Sequence, residues 1–260
     1  MEKKDDIKKY IRKYTYHGEY KEKYTDFRIV LNGWKILLDE TLSKLIEKEY
    51  GLKYKGNLIW AGEWEENLRN HRVKKANKRK VIKAYLINNE YATFQWGWCF
   101  NFIPKVTKEN VTNCRTEKTI YLNMTEHPKD FIENTKNRQR TIIEAHGENI
   151  NDITGSLDNM KKSYYEAFKY VMPEINEYFE RTKNYRGIII DVIEKNENDY
   201  YKMIRPDMMY TQIFLENYLG LEDKANRELE EMQIENKEVE RIIKNKLKEK
   251  PLDGFAKLRE

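Results

Sequence analysis

The sequence predicts an α+β fold: an antiparallel four-stranded sheet backed by an N-terminal helix and followed by a mainly helical C-terminal region. Three observations predict it. YATFQWGWCFNFIPKV, residues 91–106, places Phe94, Trp96, Trp98, Phe100 and Phe102 on alternate positions, the period of a β-strand. FRIVLNGWKILLDETLSKLIEKEYG, residues 27–51, repeats apolar residues at three- and four-residue steps, which makes one broad helical face. Beyond Pro128 the apolar spacing turns helical and stays so.

The elements follow in order. Residues 1–26 form a basic, Lys- and Tyr-rich N-terminal arm with little apolar pattern. Residues 27–126 form the α+β sheet domain. Its helix ends at Gly51, where a left-handed residue is expected just past the last turn. LKYKGNLIW (52–60) reads as a first strand and VIKAYLI (81–87) as a second. Asn88-Asn89-Glu90 makes a tight turn into the aromatic strand. Pro104 ends that strand because proline has no amide hydrogen for the ladder, and KTIYLNM (118–124) supplies the fourth strand. Residues 127–260 form the helical region. FIENTKNRQRTIIEAH is its first helical segment, and a longer one starts from Ser156 as N-cap. Pro173 falls inside that pattern, so a kink or a split is expected. YRGIIIDVIEKN fits either a helix or a β-branched strand. DMMYTQIFLENYLG is a helix closing at Gly220, and residues 221–249 read as one long charged helix.

Composition bounds the rest. A chain of 260 residues with 39% hydrophobic, 13% aromatic and 36% charged residues folds around a lean core under a heavily charged surface; that aromatic content excludes a disordered chain. Net charge is only +5, far from a histone-like field. The two cysteines, Cys99 and Cys114, do not make a disulfide framework and fit a reducing compartment. There is no apolar leader and no run long enough to span a bilayer. The expectation is a soluble, cytoplasmic protein of bacterial type with no membrane partner.

Candidate binding residues concentrate in RNHRVKKANKRK, residues 69–80. Arg69, Arg72, Lys74, Lys75, Lys78, Arg79 and Lys80 follow one another with no acid between them. Such a run neutralises phosphates without reading sequence, or meets an acidic partner; the plainer alternative is a solvated hairpin loop facing Glu63, Glu65 and Glu66. The aromatic stripe reads as the sheet's core face, packed under the 27–50 helix. An exposed stacking platform for single-stranded nucleic acid would carry basic residues among its aromatics, and none stands between Tyr91 and Pro104. No catalytic residue, metal site or cofactor is indicated. His17, His71, His127 and His146 are scattered, and no zinc spacing, phosphate loop or nucleophile elbow occurs. Asp191, Glu194 and the segment HGEN (146–149) are the acids that would have to gather for a metal-dependent nuclease.

GLKYKGNLIW (51–60), FQWGWCFNFIPKV (94–106) and RTEKTIYLNM (115–124) together resemble a bacterial domain-of-unknown-function family with a helix, a lysine-glycine-asparagine strand reaching a tryptophan, and aromatic strands. The chain departs from that pattern in its basic insertion, residues 61–79, and in its helical extension. The resemblance implies a toxin–immunity or phage-conflict setting and carries over no catalytic residue. The expected function is therefore a non-enzymatic, macromolecule-binding (protein-interaction) module of inhibitor, immunity or defence type. The alternative is a nucleic-acid-binding protein using residues 69–80, and the nuclease ranks third.

Overall fold

The structure is a computed structural model that describes residues 42–56, 58–69, 72–87, 91–112, 120, 122–129, 143–144, 153–198, 201 and 207–248. The N-terminal arm, residues 27–41, the expected turn at 88–90, residues 118, 119 and 121 of the expected fourth strand, most of the segment 131–146, HGEN (146–149) and Cys114 lie outside the described residues.

Among the described residues an antiparallel sheet and six helices make a mixed α+β fold, with one of these helices before the strands and the others after them. Helix α1 is Leu42–Tyr50. It ends where the sequence places its stop: Gly51 has φ +67° and its amide hydrogen-bonds the Glu47 carbonyl at 2.8 Å. The sheet strands are β1 (Lys53–Gly56), β2 (Ile59–Ala61), β3 (Glu65–Arg69), β4 (Arg72–Ile87), β5 (Tyr91–Phe100), β8 (Met124–Glu126) and β9 (Ile143–Glu144). A separate pair is formed by β6 (Lys105–Val106) and β7 (Val111–Thr112). The main order is β1-β2-β4-β5-β8, with β3 also on β4 and β9 also on β5.

Several expected elements differ in detail. The stretch 52–60 is two antiparallel strands, because Gly56 (φ +97°) and Leu58 (φ 57°) turn the chain between them. The second strand is the inner part of β4, which begins at Arg72. Ile143 and Glu144, expected in a helix, instead pair with Ala92 and Tyr91, as suits their β-branched context.

Helix α2 spans Ile153–Arg181, so Ser156 lies inside it rather than at its cap, and it runs through Pro173. The amide missing at Pro173 would have met the carbonyl of Lys169; both residues are exposed, so water can satisfy that group. Helix α3 (Tyr185–Glu197) settles the ambiguous segment. The Asn184 side chain caps it by accepting from the Gly187 amide at 2.9 Å. Helix α4 (Met208–Tyr218) closes with Gly220 at φ +87°, and the Leu221 amide bonds the Glu216 carbonyl at 2.9 Å, a Schellman ending. The expected single helix at 221–249 is two, α5 (Glu222–Glu231) and α6 (Lys237–Lys248). Gln233 sits at φ 46°, and Asn236 accepts from the Glu238 amide at 3.0 Å, starting a new helix.

The described chain forms two compact units, each drawn from separated stretches. The first takes residues 42–63, 80–96 and parts of 126–175; the second takes 64–79, 97–125 and 176–248. In the first unit, Leu42 and Ile46 of α1 are buried with Trp60, Ile82, Phe94 and Phe168. Phe168 of α2 meets Phe94 at 5.2 Å and Tyr50 at 6.1 Å between centroids. The Trp60 indole donates to Ser43 at 2.9 Å. In the second unit, Trp98 packs edge-on against Phe179, 5.4 Å away, and donates to Thr182 Oγ1 at 2.8 Å. Phe100, Tyr185, Tyr218 and Phe102 continue that core, with Phe102 stacked on Tyr218 at 4.1 Å.

Candidate binding hairpin

Chain direction reverses between β3 and β4. Leu68 pairs with Val73 and Asn67 with Lys74; a register irregularity follows, and Glu65 pairs with Lys78. The expected basic loop is therefore a ribbon: six of its seven cations, Arg72, Lys74, Lys75, Lys78, Arg79 and Lys80, lie on β4, and the seventh, Arg69, ends β3 opposite Arg72. For Arg69, Arg72, Lys74 and Lys75 it is this backbone register that the structure describes.

Lys78 and Arg79 do not serve as solvated charges. Lys78 is 7% exposed. Its ammonium donates to the Lys183 carbonyl at 2.6 Å, lies 3.5 Å from Glu65 Oε2, and sits 3.9 Å from the centre of the Trp98 ring. Three favourable terms converge there: an acid, an aromatic face, and a carbonyl just past the C-terminus of α2, where the helix dipole welcomes a cation. Burial and, second, the Glu65 charge push the nearby Tyr185 hydroxyl well above its ordinary range. Arg79 is 3% exposed, and its guanidinium lies over the Trp64 ring at 4.3 Å. Lys80 is half-buried, and its carbonyl accepts from the Gly62 amide at 3.0 Å. Lys78 thus anchors the base of the ribbon.

The aromatic stripe is interior. Phe94, Trp96, Trp98 and Phe100 are all buried, and Phe102, beyond the end of β5, is half-buried. The opposite face of β5 is buried too: Gln95 shares a hydrogen bond with His127 at 3.0 Å, and Cys99 is buried. A Cβ at Gly97 would lie 1.9 Å from the Met124 carbonyl oxygen, so the strand admits no side chain there. Rings of α2 meet Phe94 and Trp98, and Tyr185 of α3 and Tyr218 of α4 meet Phe100 and Phe102.

Asp191, one of the scattered acids, is consumed by a buried ion pair. Lys195 donates to its Oδ2 at 2.9 Å and to the Thr125 carbonyl at 3.1 Å, and Arg181 holds Oδ1. Glu194 is exposed on the same helix. A second polar cluster escaped sequence reasoning. Asn196 donates to Gln212 Oε1 at 2.6 Å, and Gln212 in turn donates to Glu216 at 3.1 Å and Glu228 at 2.9 Å. Lys224 closes it on Glu216 at 2.7 Å. Burial first, then the neighbouring Glu216, push the Glu228 carboxyl up to about 7. Lys224 is held above its ordinary value, chiefly by its hydrogen bond to Glu216. Nothing in sequence marks two glutamates among 44 acids. Trp64 was missed as well; its signal was an aromatic residue just upstream of the cationic run.

Among the described residues there is no group of three or more metal-ligating side chains, and no helix is long and apolar enough to cross a membrane. No protein-family model, curated protein or solved structure matches the chain.

Proposed function

We propose that the protein is a non-enzymatic binding module of the inhibitor or immunity type, whose contact element is the β3–β4 hairpin and whose partner is a protein with an acidic surface. One observation carries this reading: Lys78 is spent inside, on Trp98, Glu65 and the Lys183 carbonyl, and so fixes the ribbon that bears Arg69, Arg72, Lys74 and Lys75, while the Arg79 guanidinium lies against Trp64. A pre-ordered cationic ribbon loses little conformational freedom on docking and steers an acidic partner toward it.

Nucleic acid is the second reading, favoured by seven cations within residues 69–80 with no acid among them. Against it, Glu65 already takes up one of those cations, Lys78, at 3.5 Å, so the run offers a polyphosphate fewer than seven charges.

The test measures fluorescence anisotropy of labelled acidic peptide, single-stranded RNA and duplex DNA across a salt series. Wild type is run beside a variant with Arg69, Arg72, Lys74 and Lys75 changed to alanine. The proposal expects peptide binding that weakens at least tenfold in the variant at unchanged melting temperature. Tight RNA or DNA binding whose salt slope flattens in the variant hands the hairpin to nucleic acid. Equal peptide binding by both proteins removes the hairpin from the function.

A further inference from the structure

We infer that Arg79 is a carboxylate-anchoring residue: its Nε–Nη2 edge receives the two oxygens of an aspartate, glutamate or C-terminal carboxylate from a protein partner. This deepens, and rests on, the reading of the hairpin as the contact element.

Each other deeply buried cation described above has its counter-charge. Lys78 has Glu65 and the Lys183 carbonyl; Lys195 has Asp191 and the Thr125 carbonyl. Arg79 differs. It is equally buried, yet among the described residues it forms no ion pair, and both Nε and Nη2 lack an acceptor. A guanidinium stays charged under all ordinary conditions, so deprotonation does not relieve this edge. Trp64 covers one face of the plane and supplies no acceptor, since its indole nitrogen only donates.

Nε–H and Nη2–H are the parallel pair on one edge of the guanidinium, the fork that takes a carboxylate or phosphate bidentately. The surroundings favour the carboxylate. A tetrahedral phosphate would leave further oxygens needing donors, while the adjacent cation, Lys78, is already committed and the adjacent strand brings the acid Glu65. Both nitrogens are closed to solvent, which suits a small flat group. Entry then requires the cover over the edge to shift, so association should be slower than simple electrostatic encounter.

The experiment records arginine side-chain ¹⁵N–¹H spectra of the full chain, with the Arg79 Nε–H signal assigned by its loss in Arg79→Lys. Sodium acetate, an acidic peptide, inorganic phosphate and chloride are titrated at matched ionic strength. Acetate and peptide should move the Arg79 signal saturably, ahead of phosphate, with chloride inert. Arg79→Lys, which keeps the charge but not the fork, should bind the peptide at least tenfold more weakly. Arg79→Met, which removes a buried unpaired charge, should melt higher than wild type while binding no acetate at this position. Phosphate acting at lower concentration than acetate overturns the carboxylate assignment. No movement with any anion, or an Arg79→Met protein that melts well below wild type, shows the edge satisfied within the chain and overturns the inference altogether. The two proposals fail separately. If peptide binding depends on the four outer cations while the Arg79 signal stays still, only this inference falls. If acetate moves the signal but the outer cations do not matter, only the hairpin reading falls.

Discussion

At the scale of single residues, close approach decides more than chemistry. Gly97 has no room for a Cβ because the Met124 carbonyl occupies that space. The obstacle is backbone, so it cannot swing aside. Gly97→Ala is expected to cost about 3 kcal/mol or more, read as a large drop in Tm or loss of soluble protein. The Asp191–Lys195 pair behaves differently. Asp191→Ala leaves the Lys195 ammonium buried without its acid, at a cost of ~3–5 kcal/mol. Changing both residues to apolar ones of similar volume should lose far less, and chemical denaturation of the two variants checks the contrast. The sequence displayed the seven cations plainly, but that Lys78 and Arg79 turn inward was not legible. That depends on Trp98, Lys183 and Trp64, and only folding brings the first two to Lys78.

At the scale of elements, local signals were reliable wherever the chain ended a helix by its own means. Gly51 and Gly220 occupy left-handed positions just past α1 and α4, where a β-carbon is penalised. Asn184 resolved the segment 185–197 in favour of helix, and Asn184→Ala should lower stability by about 1 kcal/mol, measurable by thermal melting. The break between α5 and α6 was hidden because no glycine or proline marks it; a left-handed glutamine and an asparagine cap do the work. The contact between α4 and α5, where Gln212 donates to Glu228, has a pH response of its own. Glu228 titrates near 7 in the folded protein, above its ordinary carboxylate range, so the folded state holds its proton longer than the unfolded chain. The associated stability is present in full below the unfolded value and is lost as pH rises through about 7. Glu228→Gln should therefore gain on wild type as pH rises from 5 to 8, by a few degrees in Tm, with solvent screening limiting the effect.

At the scale of the whole molecule, alternation identified the sheet's inner face, and helical periodicity identified the mainly helical half. What alternation could not reveal is which segment covers that face. Phe94 meets Phe168, and Trp98 reaches Thr182, 84 positions along the chain. The boundary near residue 126 that composition suggests is consequently not a place to cut. A fragment of residues 1–126 should fail to fold, showing weak near-ultraviolet circular dichroism and strong binding of a hydrophobic dye, because the rings of α2 are missing from its aromatic stripe. Contacts so distant in sequence also predict slower folding than a helical bundle of this size would show.

The ammonium of Lys78 against the face of Trp98 gives the protein an intrinsic optical gauge. Indole emission responds to a fixed charge held beside the ring, so any event that lifts the ribbon from its base changes the Trp98 contribution without an added label. A difference spectrum between wild type and Lys78→Met isolates that contribution from the other four tryptophans. Followed in time after mixing with a partner, the same signal reports whether the base of the ribbon stays clamped or lets go as the complex forms.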